Sequence, residues 1–121
     1  MWEIDLYGIW DWLTEQDETT VAGVYAALDV LEREGPALGR PLVDTLRHTN
    51  IPSLKELRPA SPGRSEVRII FSFDPRRRAV MLLAGDKARG GKRFSWSNWY
   101  KRAIPEAERR YRAYMEQSDR G

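Results

Sequence analysis

The sequence predicts an α+β domain: an N-terminal strand and helical hairpin, then an antiparallel sheet meander and a C-terminal helix. Three observations predict it. Residues 65–73, SEVRIIFSF, alternate Val67, Ile69, Phe71 and Phe73 with Glu66, Arg68, Ile70 and Ser72, the two-residue period of a strand. Val21, Val24, Tyr25, Leu28 and Leu31 follow the i, i+3, i+4, i+7 spacing of a helix with one buried face. Ile104, Ala107, Tyr111 and Tyr114 form a similar stripe near the end of the chain.

Taken in order, WEIDLY (2–7) alternates as a half-buried strand and Gly8 breaks it. IWDWLTEQ reads as a short helix, and Asp17 to Thr20 supply the start of a second, which Gly35 and Pro36 end. Residues 36–53 contain Pro36, Pro41 and Pro52 and read as a connector with little regular structure, long enough to be functional or mobile. LKELR (54–58) is a short strand, with a turn at Pro59, Pro62 and Gly63. After SEVRIIFSF, the run Asp74–Arg78 turns into AVMLLAG (79–85), which is apolar on both faces and therefore central. Ser97 or Asn98 caps a helical turn around Trp99 and Tyr100, and Pro105 opens the final helix with Glu106 and Glu108 at its positive end. The helices are expected on one side of the sheet.

The 121 residues suit a single domain, 1–121, with its own core. The absence of cysteine excludes disulfides, thiolate metal sites and a Cys nucleophile, and it fits a reducing cytoplasm. One histidine, His48, is too few for an ordinary zinc or non-haem iron site, so neither metal nor cofactor is expected. The N-terminus carries acids where a signal peptide needs cations, and the longest apolar runs are too short to cross a bilayer. A cytoplasmic protein without a membrane partner is expected.

The net charge of +2 conceals a strong asymmetry. Residues 1–54 hold three cations against ten acids, whereas residues 55–121 hold 17 cations against eight acids. Such a division points to a polyanion-facing surface built by the second half. If helices cover the face bearing Val67, Ile69 and Phe71, Arg68 projects from the other. Pairing LKELR with that strand then puts Glu56, Arg58 and Arg68 on one surface. Lys87 follows the AVMLLAG strand, where a loop can bend back over the sheet. Lys55, Arg64, Arg89, Lys92 and Arg93 are nearby in sequence. GDKARGGK does not make a phosphate-binding P-loop, because Arg93 stands where that motif requires Ser or Thr.

The order LKELR, the Arg64-containing turn, Arg68 in EVRIIF, and LLAGDK followed by a helix resembles the RelE/HigB toxins of bacterial type II toxin–antitoxin systems, nearest to the phage-derived Gp49-like group of the RelE/ParE superfamily. GPALGRPLVDTL extends the resemblance across nearly the whole chain. It implies a ribosome-dependent endoribonuclease acting on mRNA, silenced by a cognate antitoxin of helix-turn-helix type. Its implied fold is a helix pair on an antiparallel sheet. It also makes Tyr100 the counterpart of a C-terminal aromatic that stacks on or orients a nucleotide.

Metal-free RNA cleavage needs removal of the 2′-OH proton, stabilisation of the phosphorane, and protonation of the departing 5′-oxygen. Arginine, a bidentate and permanently charged fork, suits the second task. The expected catalytic set is Arg68 as the main phosphate contact, Arg58 and Arg64 assisting, Lys87 as clamp or proton donor, and Glu56. Lys55, Arg89, Lys92, Arg93 and Tyr100 are expected to bind RNA. Trp96 and Trp99 are stacking platforms or lie buried beneath the last helix. The chain departs from RelE itself in having Glu56 where that enzyme has a lysine two positions before the strand arginine. HigB-type histidines are missing from the active face, since His48 lies in the connector. Glu56 serves as base or holds Arg58 and Arg68, and the general base stays open. Two other readings share these features: a ParE-like DNA gyrase poison and a noncatalytic nucleic-acid-binding module.

Overall fold

The structure, a computed structural model, describes the backbone of residues 1–88 and 93–120 and the side chains of residues 1–88 and 98–118. Strand β1 (Glu3–Asp5) leads through a 3-10 turn (Tyr7–Ile9) into helices α1 (Trp10–Thr14) and α2 (Glu18–Glu34). Four strands follow: β2 (Val43–Thr45), β3 (Lys55–Leu57), β4 (Val67–Asp74) and β5 (Arg78–Asp86). Helix α3 (Arg93–Arg120) closes the order. The strands form one sheet, β1-β5-β4-β3-β2, in which β1 runs parallel to β5 and the other pairs are antiparallel. The predicted α+β class is thus observed, with one parallel edge added to the meander.

Local chemistry explains the first half. The Asp17 carboxylate caps α2 by accepting from the Thr20 N–H at 2.7 Å. Gly35 ends the helix at φ +57°, and a side chain there would strike the Trp2 indole. Trp2 in turn donates its backbone N–H to the Glu32 carbonyl and packs edge-on against Phe73, which ties β1 to the end of α2. The buried face of α2 comprises Val24, Ala27, Leu28 and Leu31. Tyr25, expected on that face, is 40% exposed, because the buried arc centres on the residues three and four from Val24 rather than on Val21. Each fully buried Val or Leu contributes on the order of 1.5–3 kcal/mol.

The expected connector contains a strand. Residues 36–53 include β2, whose Val43, Asp44 and Thr45 pair with Leu57, Glu56 and Lys55. Backbone bonds from Leu46 N–H to the Leu54 carbonyl and from Arg58 N–H to the Leu42 carbonyl close this hairpin. Three residues are too few to show a period, and the flanking prolines masked the pairing.

Helices cover both faces of the sheet, not one as expected. Ile9, Leu13, Val24, Leu28 and Leu31 pack with Val67, Ile69, Phe71 and Met81 on one sheet face. On the other, Ala103, Ile104 and Ala107 of α3 pack with Ile70, Val80 and Leu82, with Tyr111 and Tyr114 alongside. The sheet is therefore sandwiched rather than covered on one side. A register shift between Ile70 and Phe71 lets both Leu82 and Leu83 join the α3 side, which accounts for the doubly apolar β5.

Pro105 does not start a helix; it lies within α3. Pro105 and Lys101, four residues apart, are both exposed, while Ala103, Ile104 and Ala107 keep the helix seated. Glu106 pairs with Arg109 and Arg110 in the middle of the helix instead of at its positive end.

Candidate active site

The site is built where β3, β4 and the end of β5 meet the first described turns of α3. The register pairs Asp44 with Glu56 and Glu56 with Ile70, so these residues, Arg68 and Arg58 share the α3 face. Arg68 stands opposite Gly85, against whose backbone the Trp99 indole packs so closely that any side chain would collide with it. Asp86 pins the neighbouring loop by accepting from the Glu66 and Ala88 N–H groups, both at 2.9 Å. The Lys87 N–H then bonds the Glu66 carbonyl at 3.0 Å and fixes the start of that loop. Gly85→Ala should accordingly destabilise the fold by about 1–3 kcal/mol, measured by urea unfolding, because the indole must leave the surface that seats α3.

Glu56 is the hub. Its side chain is only 4% exposed. Oε2 accepts from the Tyr100 hydroxyl at 2.6 Å, and Oε1 accepts from Arg58 Nε at 3.0 Å. Arg58 also reaches Asp44 at 3.4 Å. Arg68, 12% exposed, donates from Nη1 to the Val67 carbonyl at 2.8 Å and pairs with Glu66 at 3.4 Å. Its Nε is buried, lies 3.8 Å from Glu56 Oε1, and has no hydrogen-bond acceptor among the described residues. Lys87 Nζ lies 5.5 Å from the Tyr100 ring centroid. Burial, and then the positive charge of Arg68, push the Lys87 ammonium below its ordinary pKa. Burial and the bond to Glu56 raise the Tyr100 phenol well above its usual value, so at neutral pH it is a hydrogen-bond donor.

The structure thus brings Glu56, Arg58, Arg68, Lys87 and Tyr100 together. It does not bring Lys55, which pairs with Phe71 and belongs to the α2 face. Arg64 lies exposed in the turn before β4, with no contact to the cluster among the described residues. Arg89 and Lys92 lie outside the described residues, as do the side chains of Arg93 and Trp96. Trp99 is packed between α3 and β5, edge-on to Tyr100 at 5.0 Å, which favours burial over a free stacking platform. His48 is exposed, at φ 63°. Arg76, Arg77 and Arg78 sit at the opposite end of β4 and β5, where Arg77 stacks on Trp2 and Arg78 faces Glu3. Asp44 escaped the sequence reading because it lay in the supposed connector; only the pairing of β2 reveals it.

Residues 11–112 match the family model described as phage derived protein Gp49-like (DUF891). The chain belongs to this Gp49-like family. It is 49% identical over 116 residues, 96% of its length, to a Mycobacterium tuberculosis protein that carries the toxin name HigB2, of which the match covers 55%. A second M. tuberculosis relative, under the toxin name HigB3, is 43% identical over 99 residues, 82% of this chain and 80% of that protein. The chain spans about half the length of the first relative. The sequence resemblance to the Gp49-like, HigB-type group is borne out, and every residue of the Gp49-like cluster lies inside the matched segment. Among the described residues, no helix is long and apolar enough to cross a membrane.

Proposed function

We propose that this Gp49-like protein is the toxin of a toxin–antitoxin pair and a metal-independent endoribonuclease that cuts messenger RNA on the ribosome. The toxin names of two relatives support the first part. One observation carries the second: the Arg68 guanidinium, 12% exposed and with an Nε–H that has no acceptor among the described residues, stands beside Arg58 and Lys87. Cations gathered on one face attract an anion, and a phosphodiester oxygen suits the exposed part of a guanidinium fork.

In this reading Arg68 and Arg58 hold the non-bridging oxygens and stabilise the negative charge that grows as the 2′-oxygen attacks phosphorus. The Lys87 ammonium, its pKa lowered by burial and by the charge of Arg68, gives its proton to the departing 5′-oxygen. Glu56 has one oxygen occupied by Tyr100 and the other by Arg58, and it is buried. That arrangement suits a positioning residue rather than the base that removes the 2′-OH proton. Tyr100, held by Glu56, presents its ring beside Lys87 and orders the edge of the site.

The test is a translation reaction with ribosomes and message. Wild-type protein should produce discrete message cuts. Messages left whole would remove the nuclease reading, and accumulation of gyrase–DNA cleavage complexes in a parallel assay would put the gyrase-poison reading in its place. Binding to ribosomes should weaken steeply with salt, with a log–log slope on the order of −3, as expected when several phosphate contacts release counterions. Filter binding across a salt series measures it; a flat response would exclude this surface as the docking site. The cognate antitoxin is expected to cover the cationic cluster or lift α3 from it.

A further inference from the structure

Beside the cluster lies an open cleft of about 850 Å³ between the segment that follows β2 and the first half of α3. Its wall is built across a long sequence separation. Glu108 accepts from Thr49 Oγ1 at 2.6 Å and from the Asn50 N–H at 3.1 Å, which moors the loop to the helix. Those two bonds hold the Glu108 carboxyl below its ordinary pKa. The floor is apolar, from Leu46, Ile104 and Pro105, and the inner end is shared with Glu56, Arg58 and Tyr100.

The charges of this lining are unevenly committed. Asp44 is engaged by Arg40 at 3.0 Å and by Arg58 at 3.4 Å, Glu56 by Arg58 and Tyr100, and Glu108 by the loop. Every acid is therefore spoken for. Arg47 and Lys101, both exposed on the rim, pair with no acid among the described residues. An apolar floor beneath unspent cations matches a base and its flanking phosphates, and the volume falls in the range of small-ligand clefts.

We infer that this cleft receives the nucleotide next to the scissile phosphate of single-stranded RNA, with its base over Leu46, Ile104 and Pro105 and its outer phosphate against Arg47 and Lys101. The inference rests on the nuclease reading for the place of the scissile phosphate. It adds a subsite that the catalytic cluster does not contain. Continuity decides between RNA and a protein ligand: the cleft opens directly onto Arg58 and Tyr100, so one strand can occupy both.

Fluorescence anisotropy with a short, uncleavable 2′-deoxy-substituted RNA strand tests it, using Arg47→Glu, Lys101→Glu and, as an equal charge change outside the cleft, Arg102→Glu. All three positions are exposed, so folding should survive. The expected result is a loss of about tenfold in affinity for each cleft variant, a smaller salt slope, and less than threefold for Arg102→Glu. Equal losses at all three positions, equal binding of duplex RNA, or displacement by an acidic peptide but not by RNA would overturn the inference. Message cutting separates the two readings. Cutting by wild type with unchanged yield and position in Arg47→Glu and Lys101→Glu sinks the cleft alone. Cleft-dependent binding without any cutting sinks the nuclease reading alone.

Discussion

Arg68→Met should reduce message cleavage by about 10²–10³-fold, the usual consequence of removing a preorganised donor to a developing oxyanion. The same variant should stay folded. Arg68 is 12% exposed, and its buried Nε has no acceptor among the described residues, so methionine removes a desolvated charge while filling much the same volume. Glu56 keeps Arg58 and Tyr100 after the change, which leaves it hydrogen-bonded. Unfolding free energy should therefore move by no more than about 1 kcal/mol in urea titration. Arg68→Lys keeps the charge and loses the fork; it should recover only part of the rate, because a single ammonium cannot reproduce bidentate phosphate geometry. Retained activity in Arg68→Met, within a few-fold of wild type, would show that the guanidinium is architectural.

Glu56→Ala should act in the opposite way, mainly on stability. It strips the acceptor from Arg58 Nε and the Tyr100 hydroxyl and removes one of the two carboxylates beside Arg68, the other being Glu66. Breaking a buried ion pair from one side costs about 3–5 kcal/mol, and the alanine variant should lose on the order of 3 kcal/mol. Glu56→Gln keeps the shape and one acceptor oxygen and should lose about 1–2 kcal/mol. A purely structural loss would not alter the Tyr100 titration. If Glu56 positions Tyr100, the glutamine variant should bring the phenol pKa down toward its ordinary value while burial keeps it above. Ultraviolet absorbance titration reads this shift. An unmoved Tyr100 titration in a folded Glu56→Gln variant would separate the phenol from the hub.

Much of this site was legible in the chain. The alternation of SEVRIIFSF placed Arg68 opposite Val67, Ile69 and Phe71, and the two-residue spacing of Glu56 and Arg58 placed both on the same face. Lys87 lay immediately after a strand, as expected. The rest depended on long-range choices that local patterns do not encode. Tyr100 meets Glu56 across 44 residues, and Glu108 meets Thr49 across 59. Lys55 looked close to Arg58 by number, yet the pleat turns it to the α2 side. The sheet face assigned to solvent carried Ile70 among polar neighbours, and β5 was apolar on both sides. Those two signs pointed to a second covering layer, and α3 supplies it. Pro105 misled because exposed prolines inside long, well-seated helices obey tertiary packing before local preference.

The Arg68 guanidinium is the central phosphate contact proposed for this site, and arginine-selective ¹⁵N NMR observes its Nε–H directly. On addition of the uncleavable RNA strand, that resonance should move, as a phosphate oxygen takes a hydrogen bond from the exposed part of the same guanidinium. An Arg68 Nε–H signal that stays unchanged while other arginines respond to the RNA would contradict the assignment of this residue to the phosphodiester.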